Sequence, residues 1–398
     1  MKARASFEPG AKIEGVIPLC VPEIRGNEWQ YVRECLDTGW VSSVGSFVTD
    51  FEKALAGASG LKHGVATVNG TAALHTALLC AGVERDDEVL VSTLTFIAPA
   101  NAIRYLGAHP VFIDAEPEYW QMDPNAVRAF LTQECSFQNG VVIDRATGRR
   151  VKAIVPVDIL GSTVDFDEIA QIARAFGLAI VEDATESLGA RYKERPVGSR
   201  ADIACFSFNG NKLLTTGGGG MIVTDDDAMA KRARYLTTQA KDDPIEYVHA
   251  EVGFNYRLTN VLAAIGLAQM EKLDEYVAIK RANAARYAQE LSAVEGIGIM
   301  PQAPFAFSTF WLYTILVDER RFGMSSRALL RHLAANGVQA RPLWQPMHRS
   351  PAHRNERSFG GAVAERLCDQ ALSLPSSVGL LPEQLEHVVE AIRGAARA

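Results

Sequence analysis

Cysteine is scarce in the 398-residue chain, and its six cysteines lie far apart in sequence. No two of them have the C-x-x-C spacing of zinc sites or redox motifs, so we expect no metal site or redox motif built from them. In a chain of this length they are typical of reduced core thiols in a cytosolic protein. They are Cys20, Cys35, Cys80, Cys135, Cys205 and Cys368.

Long apolar runs and blocks of like charge are also missing from the sequence. No uncharged apolar run approaches the roughly 20 residues that a membrane helix needs, and segment 1–15 has no apolar core of a secretion signal. The net charge of −7 argues against a general nucleic-acid binder, although a local pocket for one nucleotide stays open. We therefore expect a soluble cytoplasmic protein with no membrane and no nucleic-acid partner.

Short apolar segments alternate with helical patterns between residues 64 and 225. This alternation predicts an α/β fold whose mostly parallel sheet is flanked by helices on both faces. Ligands of such sheets bind in loops at the carboxyl ends of the strands. The predicted strands are 64–68, 88–92, 110–114, 152–158, 178–183, 201–208 and 219–225.

The pattern changes at about residue 256, where a segment of nearly uninterrupted helical propensity begins. An apolar segment at 308–318 and a helix around 325–336 follow before the C-terminal helix. We predict two domains. Residues 1–255 form a large ligand-binding domain with an N-terminal segment, and residues 256–398 form a long connecting helix with a smaller C-terminal α/β domain.

Two predicted strands end in residues that suit a charged ligand. Gly70 and Thr71 follow strand 64–68 and open a helix, where free N–H groups and the helix dipole favour an anion. An ordinary Asn or Thr N-cap explains the same residues. Asp183 ends strand 178–183, where a buried carboxylate needs a partner. It could bind a metal, orient a histidine, hold a protonated ring nitrogen, or cap the next helix.

Lys212 stands in the stretch FNGNKLLTTGGGG, between two predicted strands and ahead of four glycines. A phosphate-binding P-loop has its glycines before the lysine, so the reversed order excludes that motif. A partly desolvated lysine with room to move suits a Schiff base with an aldehyde cofactor, whereas an exposed turn lysine is the ordinary alternative. Phe96 follows another strand, where an aromatic ring fits the core or a stacking contact with a ligand.

These residues together meet the needs of pyridoxal 5'-phosphate (PLP). Lys212 would supply the amine of the Schiff base and Asp183 the partner of the ring nitrogen. Phe96 would stack on the ring, and the helix that begins near Gly70 would bind the phosphate.

On these residues the chain resembles the DegT/StrS-type sugar-nucleotide aminotransferases, a family of fold-type-I PLP-dependent enzymes. The likeness covers roughly residues 16–395 and runs through motifs in the family's order. It implies the fold-type-I architecture, with a large PLP-binding domain and a smaller C-terminal domain. The motifs are GWVSSVG, NGTAALH, LTFIAPANAI, GAHPVFID, VEDATESLGA, FSFNGNKLLTTGGGG and GFNYRLTNVLAAIG.

The resemblance implies a role for each matching position. Lys212 would bond to the cofactor and then carry the proton, and Asp183 would keep the ring nitrogen protonated. Glu186 stands where the family commonly has His or Gln near the cofactor hydroxyl, so its role stays open. Asn255 would reach the phosphate of a neighbouring subunit, which implies a homodimer with shared active sites. The implied phosphate-binding residues are Gly70, Thr71, Ser207 and Asn255.

The resemblance also implies a substrate class. It points to transfer of an amino group from glutamate to C4 of a UDP-linked 2-acetamido-2,6-dideoxy-4-ketohexose, for surface polysaccharide or O-antigen synthesis. The alternative is a GDP-perosamine synthase, which aminates a GDP-linked 4-keto-6-deoxymannose. A PLP-dependent sugar dehydratase, which has His in place of the lysine, and a non-catalytic regulator are further alternatives. The candidate sugar-nucleotide residues are Trp40, Ser42, Trp344 and His348, although tryptophans are more often packing residues.

Overall fold

The strands of the computed structural model, which describes residues 15–243 and 245–396, follow the predicted alternation. They are β1 (His63–Thr67), β2 (Glu88–Ser92), β3 (His109–Ile113), β4 (Cys135–Gln138), β5 (Val141–Asp144), β6 (Arg150–Val155), β7 (Ala179–Asp183), β8 (Arg191–Tyr192), β9 (Arg195–Pro196), β10 (Ile203–Ser207), β11 (Gly220–Thr224), β12 (Ile297–Gly298), β13 (Ala306–Phe307), β14 (Tyr313–Val317), β15 (Arg341–Pro342), β16 (Arg357–Phe359) and β17 (Ala371–Leu374).

Several helices begin at side-chain caps that the sequence supplies. Asp165, Asp226 and Ser325 each accept a hydrogen bond from a backbone N–H in the first turn that follows. The helices are α1 (Glu28–Thr38), α2 (Ser46–Ala58), α3 (Gly70–Cys80), α4 (Ala98–Tyr105), α5 (Pro124–Gln133), α6 (Phe166–Phe176), α7 (Asp227–Thr237), α8 (Asn260–Met270), α9 (Leu273–Leu291), α10 (Glu319–Phe322), α11 (Ser326–Ala335), α12 (Ala362–Gln370) and α13 (Pro382–Ala395).

Ten strands form the central sheet within the described part of the chain. Its main path is β1-β11-β10-β7-β6-β2-β3-β16, and the β4–β5 hairpin pairs with β6. Neighbours from β10 to β16 are parallel, whereas β11 is antiparallel to both β10 and β1. The predicted mostly parallel sheet is therefore confirmed. A separate antiparallel sheet, β12-β14-β17-β15, belongs to the C-terminal part of the chain.

The central sheet is buried on both faces, as a parallel sheet between two layers of helices requires. In β2, Val89 and Val91 pack into one apolar cluster while Leu90 packs into another on the opposite face. Phe112 and Ile113 of β3 divide between the same two clusters. The core therefore lies in two layers, and the strand ends are left to carry polar residues.

The predicted long helix after residue 256 is divided by a break at Glu271 and Lys272. The first piece, α8, packs against α1 and α2, while α9 packs against α13. The two pieces therefore pack against different parts of the chain. The division into two domains at 255/256 stays a prediction. Of the residues assigned to these domains, 1–14, Pro244 and 397–398 lie outside the part of the chain that the structure describes.

The C-terminal part of the chain also returns to the central sheet. Strand β16 pairs in parallel with β3, opposite Val111, Phe112 and Ile113. The turn after β6, residues 159–161, lies against Thr309, which follows β13. The two parts of the chain are thus joined close to the carboxyl ends of the parallel strands.

Candidate active site

A cavity of about 370 Å³ opens where β1, β7 and β10 end. It forms there because β7 and β10 are parallel neighbours, so the loops that follow them leave the sheet at the same edge. Its lining contains seven of the residues selected from the sequence: Gly70, Thr71, Phe96, Glu186, Ser207, Lys212 and Trp344.

The first turn of α3 forms one wall of this cavity. The Asn69 side chain accepts a hydrogen bond from Ala72 N–H at 2.8 Å, so the N-cap alternative holds for Asn69. A Cβ added at Gly70 would lie 2.9 Å from Cβ of Ser207 and 3.3 Å from Cγ2 of Thr185. Only glycine lets the strand β10 and this helix start approach so closely. A helix start and a serine hydroxyl side by side form a suitable cradle for a phosphate.

Asp183 and Glu186 supply two buried carboxyl groups beside the cavity, 2% and 6% exposed. Burial raises the pKa of Asp183, although hydrogen bonds from Thr185 and the charge of Lys212 oppose the shift. Burial likewise raises the pKa of Glu186 to about 7, again opposed by Lys212. Both acids therefore favour a positive charge nearby, which would stabilise their ionised forms.

The Lys212 amine lies between an acid and an aromatic ring. Its Nζ is 3.7 Å from Oε1 of Glu186 and 4.2 Å from the ring centroid of Trp311, and its side chain is 14% exposed. Lys212 N–H donates to the Asn209 carbonyl at 3.0 Å, which closes the turn after β10. The exposed turn lysine, the ordinary alternative, is therefore wrong.

Phe96 and Trp344 lie at the lining of the same cavity. Phe96 is 56% exposed, so it is not a core residue of this chain. Its ring is available to a flat ligand, because aromatic rings attract other rings by stacking. Trp344 is half-buried and also packs at the edge of the main apolar cluster.

Asn255 and Trp40 lie elsewhere in this chain. Both line a second cavity of about 830 Å³ between the 40–49 segment and α7, and Trp40 is 57% exposed. Ser42 is nearby, where its carbonyl accepts a hydrogen bond from Asn260 N–H. A single chain therefore does not bring these three residues to Lys212.

His348 is also separate from the lysine cavity. Its Nδ1 is 2.7 Å from Oγ1 of Thr93, and its Nε2 is 3.0 Å from Oε1 of Glu365. The side chain is only 13% exposed, so His348 is not an exposed turn residue. These contacts fix the ring against the end of β2.

Trp311 is a site residue that the sequence patterns do not predict. It is 3% exposed and lines the cavity, and its indole Nε1–H donates to the Asn211 carbonyl at 2.7 Å. The only signal in the sequence is a tryptophan within the apolar segment 308–318, where it is more often a core residue. Within residues 15–243 and 245–396, no cluster of His, Cys, Asp or Glu suits a metal ion, and no helix could cross a membrane.

Known proteins are similar to this chain in fold and in sequence. The sequence model of the DegT/DnrJ/EryC1/StrS aminotransferase family matches residues 22–393. The chain belongs to this family. It is 39% identical to GDP-perosamine synthase of Caulobacter vibrioides, covering 94% of this chain and 97% of that protein. It is 36% identical to GDP-perosamine synthase of Escherichia coli O157:H7, with 94% and 97% covered.

A solved structure supports the same conclusion. The crystal structure of S. venezuelae DesV, in complex with a ketimine intermediate, matches with a TM-score of 0.84 at 31% identity. The match covers 94% of this chain and 95% of DesV. The resemblance drawn from the motifs is thereby confirmed, as is the fold-type-I class. This aminotransferase is a PLP-dependent enzyme that acts on nucleotide-linked sugars.

The residues of the cavity fit PLP on the evidence of their own geometry. The close approach at Gly70 leaves a helix start beside a serine hydroxyl, as a phosphate needs. Asp183 is a carboxylate buried at a strand end, as a protonated ring nitrogen needs. Lys212 lines the same cavity as Gly70 and Ser207, and its charge acts on Asp183.

Proposed function

We propose that Lys212 bonds to PLP and that Asp183 pairs with the ring nitrogen of the cofactor. The observation that carries this proposal is the sheltered Lys212 amine, which lies 3.7 Å from the buried Glu186 carboxyl group and whose charge opposes the rise in the pKa of Asp183. When bound, PLP supplies an electron sink that permits an amino group to move between donor and acceptor. The residues of the chain supply binding, orientation and proton transfer.

Each residue has one task in this proposal. Asp183 holds the ring nitrogen in its protonated form, because a buried carboxylate is stabilised by a cation. Phe96 stacks on the ring. Once Lys212 is free of the cofactor, its amine moves the proton between the two carbon atoms that exchange the amino group. Gly70, Thr71 and Ser207 hold the phosphate.

We infer that the substrate is a GDP-linked 4-keto-6-deoxymannose, aminated at C4 with glutamate as donor. Two relatives that are 39% and 36% identical over 94% of the chain are both GDP-perosamine synthases. They support the GDP-linked alternative better than the UDP-linked 2-acetamido sugar that the motifs suggested. The product would serve surface polysaccharide synthesis in the cytoplasm. Trp344 is the candidate sugar-nucleotide residue of the chain's own cavity.

The active unit in this proposal is a homodimer. Asn255, with Trp40 and Ser42, would complete the site of the neighbouring subunit, since none of them lines the Lys212 cavity of its own chain. Two exposed apolar side chains line the same cavity as Asn255: Trp40 is 57% exposed and Val44 67%. Exposed apolar side chains grouped in this way are typical of a surface that another protein covers.

The test of Lys212 is a comparison of Lys212→Ala with Lys62→Ala, which changes an exposed lysine. Purified Lys62→Ala should show the visible absorbance of PLP bonded to an amine and should retain a cofactor-sized mass after borohydride reduction. Lys212→Ala should show neither, because imine formation needs the amine. A reduced adduct that persists in Lys212→Ala would exclude this lysine.

The test of the substrate is a panel of GDP-linked and UDP-linked 4-keto-6-deoxy sugars, each incubated with glutamate. We expect the GDP-linked mannose-derived ketone to give an amino sugar nucleotide, identified by its mass, with the highest kcat/KM. A higher kcat/KM for the UDP-linked 2-acetamido ketone would overturn the substrate and leave the role of Lys212 unchanged.

A further inference from the structure

The ring of Trp311 lies directly against the amine of Lys212. The distance from Nζ to the ring centroid is 4.2 Å, and the tryptophan is only 3% exposed. A cation over an aromatic face is attracted by the negative charge on the face, most strongly for tryptophan and most strongly where water is excluded. The contact therefore favours the protonated, unbonded form of the lysine.

The same tryptophan also holds the backbone that carries the lysine. Its Nε1–H donates to the carbonyl of Asn211, the residue before Lys212, at 2.7 Å. The thiol of Cys20 donates to the same carbonyl at 3.2 Å. Trp311 thus contacts both ends of Lys212, the backbone through its N–H and the amine through its ring.

The position of Trp311 is itself fixed by a buried lysine. Lys280 of α9 is 2% exposed, and its Nζ donates to the Trp311 carbonyl at 2.6 Å and to the Ser376 carbonyl. A buried amine that bonds two carbonyls ties α9, the start of β14 and the end of β17 together. These hydrogen bonds fix the Trp311 backbone and so position its indole ring.

The second group beside the lysine amine, Glu186, is tied to the same part of the fold. Oε2 of Glu186 accepts a hydrogen bond from Leu160 N–H at 2.9 Å. The next residue, Gly161, has a φ of +89°, and its carbonyl accepts from Thr309 N–H at 2.8 Å. A Cβ on Gly161 would lie 2.6 Å from the Trp311 backbone nitrogen, so only glycine permits this junction. One junction therefore positions both Glu186 and Trp311 around the Lys212 amine.

We propose that Trp311 is a positioning residue whose ring provides the resting place of the Lys212 ammonium whenever the lysine is not bonded to the cofactor. This inference rests on the proposed role of Lys212. The indole ring stabilises the Lys212 ammonium, which the Glu186 carboxyl group does not do alone. Burial raises the pKa of Glu186 to about 7, so near neutral pH that carboxyl group is ionised in only part of the molecules.

The aldehyde and amine forms of the cofactor should respond differently to loss of the indole ring. On bonding to the aldehyde of pyridoxal phosphate, the Lys212 ammonium would release a proton and form an imine with loss of water, so Lys212 would no longer carry a localised ammonium charge. Pyridoxamine phosphate has no aldehyde, so the lysine stays free before and after it binds. Loss of the ring face should therefore strengthen binding of the aldehyde form and leave binding of the amine form unchanged.

The experiment measures equilibrium dissociation constants of both cofactor forms for the wild type, Trp311→Phe and Trp311→Leu. For Trp311→Leu we expect the Kd of pyridoxal phosphate to fall about 5- to 30-fold, the range of a desolvated cation–aromatic contact. The Kd of pyridoxamine phosphate should stay within about twofold. Trp311→Phe keeps a weaker aromatic face. Its Kd for pyridoxal phosphate should therefore lie between the values for the wild type and Trp311→Leu, about two- to fivefold below the wild type.

Two outcomes would overturn the proposal. The first is that the Kd values of both forms stay unchanged. The second is a parallel loss of affinity for both forms, because that result marks Trp311 as a packing residue. If Trp311→Leu does not fold, the ratio of the two Kd values for Trp311→Phe decides between these outcomes and the expected one.

A double variant separates this inference from the role of Lys212. In the Lys212→Ala background, Trp311→Leu should change neither Kd, because no ammonium remains to be stabilised. An equal effect of Trp311→Leu with and without Lys212 would overturn the inference. Borohydride-stable attachment of the cofactor to Lys212→Ala would instead overturn the role of Lys212, whatever Trp311 does.

Discussion

Replacing Glu186 by Gln should make the stability of the cofactor-free protein less sensitive to pH. The carboxyl group is 6% exposed and accepts one hydrogen bond from Leu160 N–H. The Lys212 ammonium is 3.7 Å away. Burial outweighs the help of that ammonium and raises the pKa of Glu186 from 4.5 to about 7.

The sign of the effect follows from the direction of the pKa shift. A carboxyl group whose folded pKa is raised contributes stability that is fully present below the unfolded pKa of 4.5 and is lost as pH rises through about 7. Between pH 5 and pH 8 the loss amounts to about 2.5 kcal/mol, because each unit of pKa difference corresponds to 1.36 kcal/mol. Gln carries no charge at either pH, so Glu186→Gln should escape this loss.

The assay is urea denaturation of cofactor-free protein at several pH values from 5 to 8. The free energy of unfolding of Glu186→Gln, relative to wild type, should rise by about 2.5 kcal/mol across this range. Glu390→Gln, which changes an exposed acid on α13, should show no such trend. If the free energies of unfolding of Glu186→Gln and the wild type differ by the same amount at every pH, the pKa of Glu186 is not raised in the folded protein.

Two further predictions concern the subunit contact and a buried ion pair. Mixing inactive Lys212→Ala with inactive Asn255→Ala should restore up to about a quarter of wild-type activity, because mixed dimers regain one intact site; no recovery after confirmed subunit exchange would refute the shared site. Glu52 is 5% exposed and pairs with Arg234 and Arg257. Glu52→Gln should lower the free energy of unfolding by about 3 kcal/mol in urea denaturation, since it leaves Arg257 without an anion; a loss below about 1 kcal/mol would contradict this.

The elements that contact mainly their sequence neighbours are predictable from local pattern. The prediction of strand 88–92 has the bounds of β2, because its apolar residues are consecutive and both of its faces are buried. Helix α6 begins at its Asp165 cap and ends at Gly177, both of which are local signals. The β4–β5 hairpin is absent from the predicted strands, although Asn139 and Gly140 both have the positive φ of a tight hairpin turn.

Contacts between distant segments are not predictable in the same way. Trp311 reaches Lys212 because Lys280 and the 159–161 turn hold its backbone, and none of those contacts leaves a local pattern. The break at Glu271 and Lys272 likewise depends on where α8 and α9 pack. Lys212 and Asp183 can be selected from sequence because each follows a strand of a parallel sheet, where topology places ligands. Their chemical roles stay predictions.

Four acids are buried around the end of β7 of this aminotransferase, and their charges link cofactor binding to stability. Burial raises the pKa of Asp158 well above its usual range, with the charge of Glu182 adding to the effect, and burial also raises the pKa of Glu182. Asp183 and Glu186 add two more carboxyl groups whose pKa burial raises. Of these four, Asp183 and Glu186 are the two that sense the charge of Lys212.

A cationic ring nitrogen paired with Asp183 would replace, directly beside this carboxyl group, the ammonium charge that Lys212 loses on bonding to PLP. A ligand that binds only the folded state raises the free energy of unfolding by mass action. The increase is larger when the ligand also pairs with a buried carboxylate. The stabilisation by PLP should therefore grow from pH 5 to pH 8, where the acids are increasingly ionised and the cavity without a ligand is least favourable. The protein without its cofactor should for the same reason be least stable at the pH where it binds PLP most strongly.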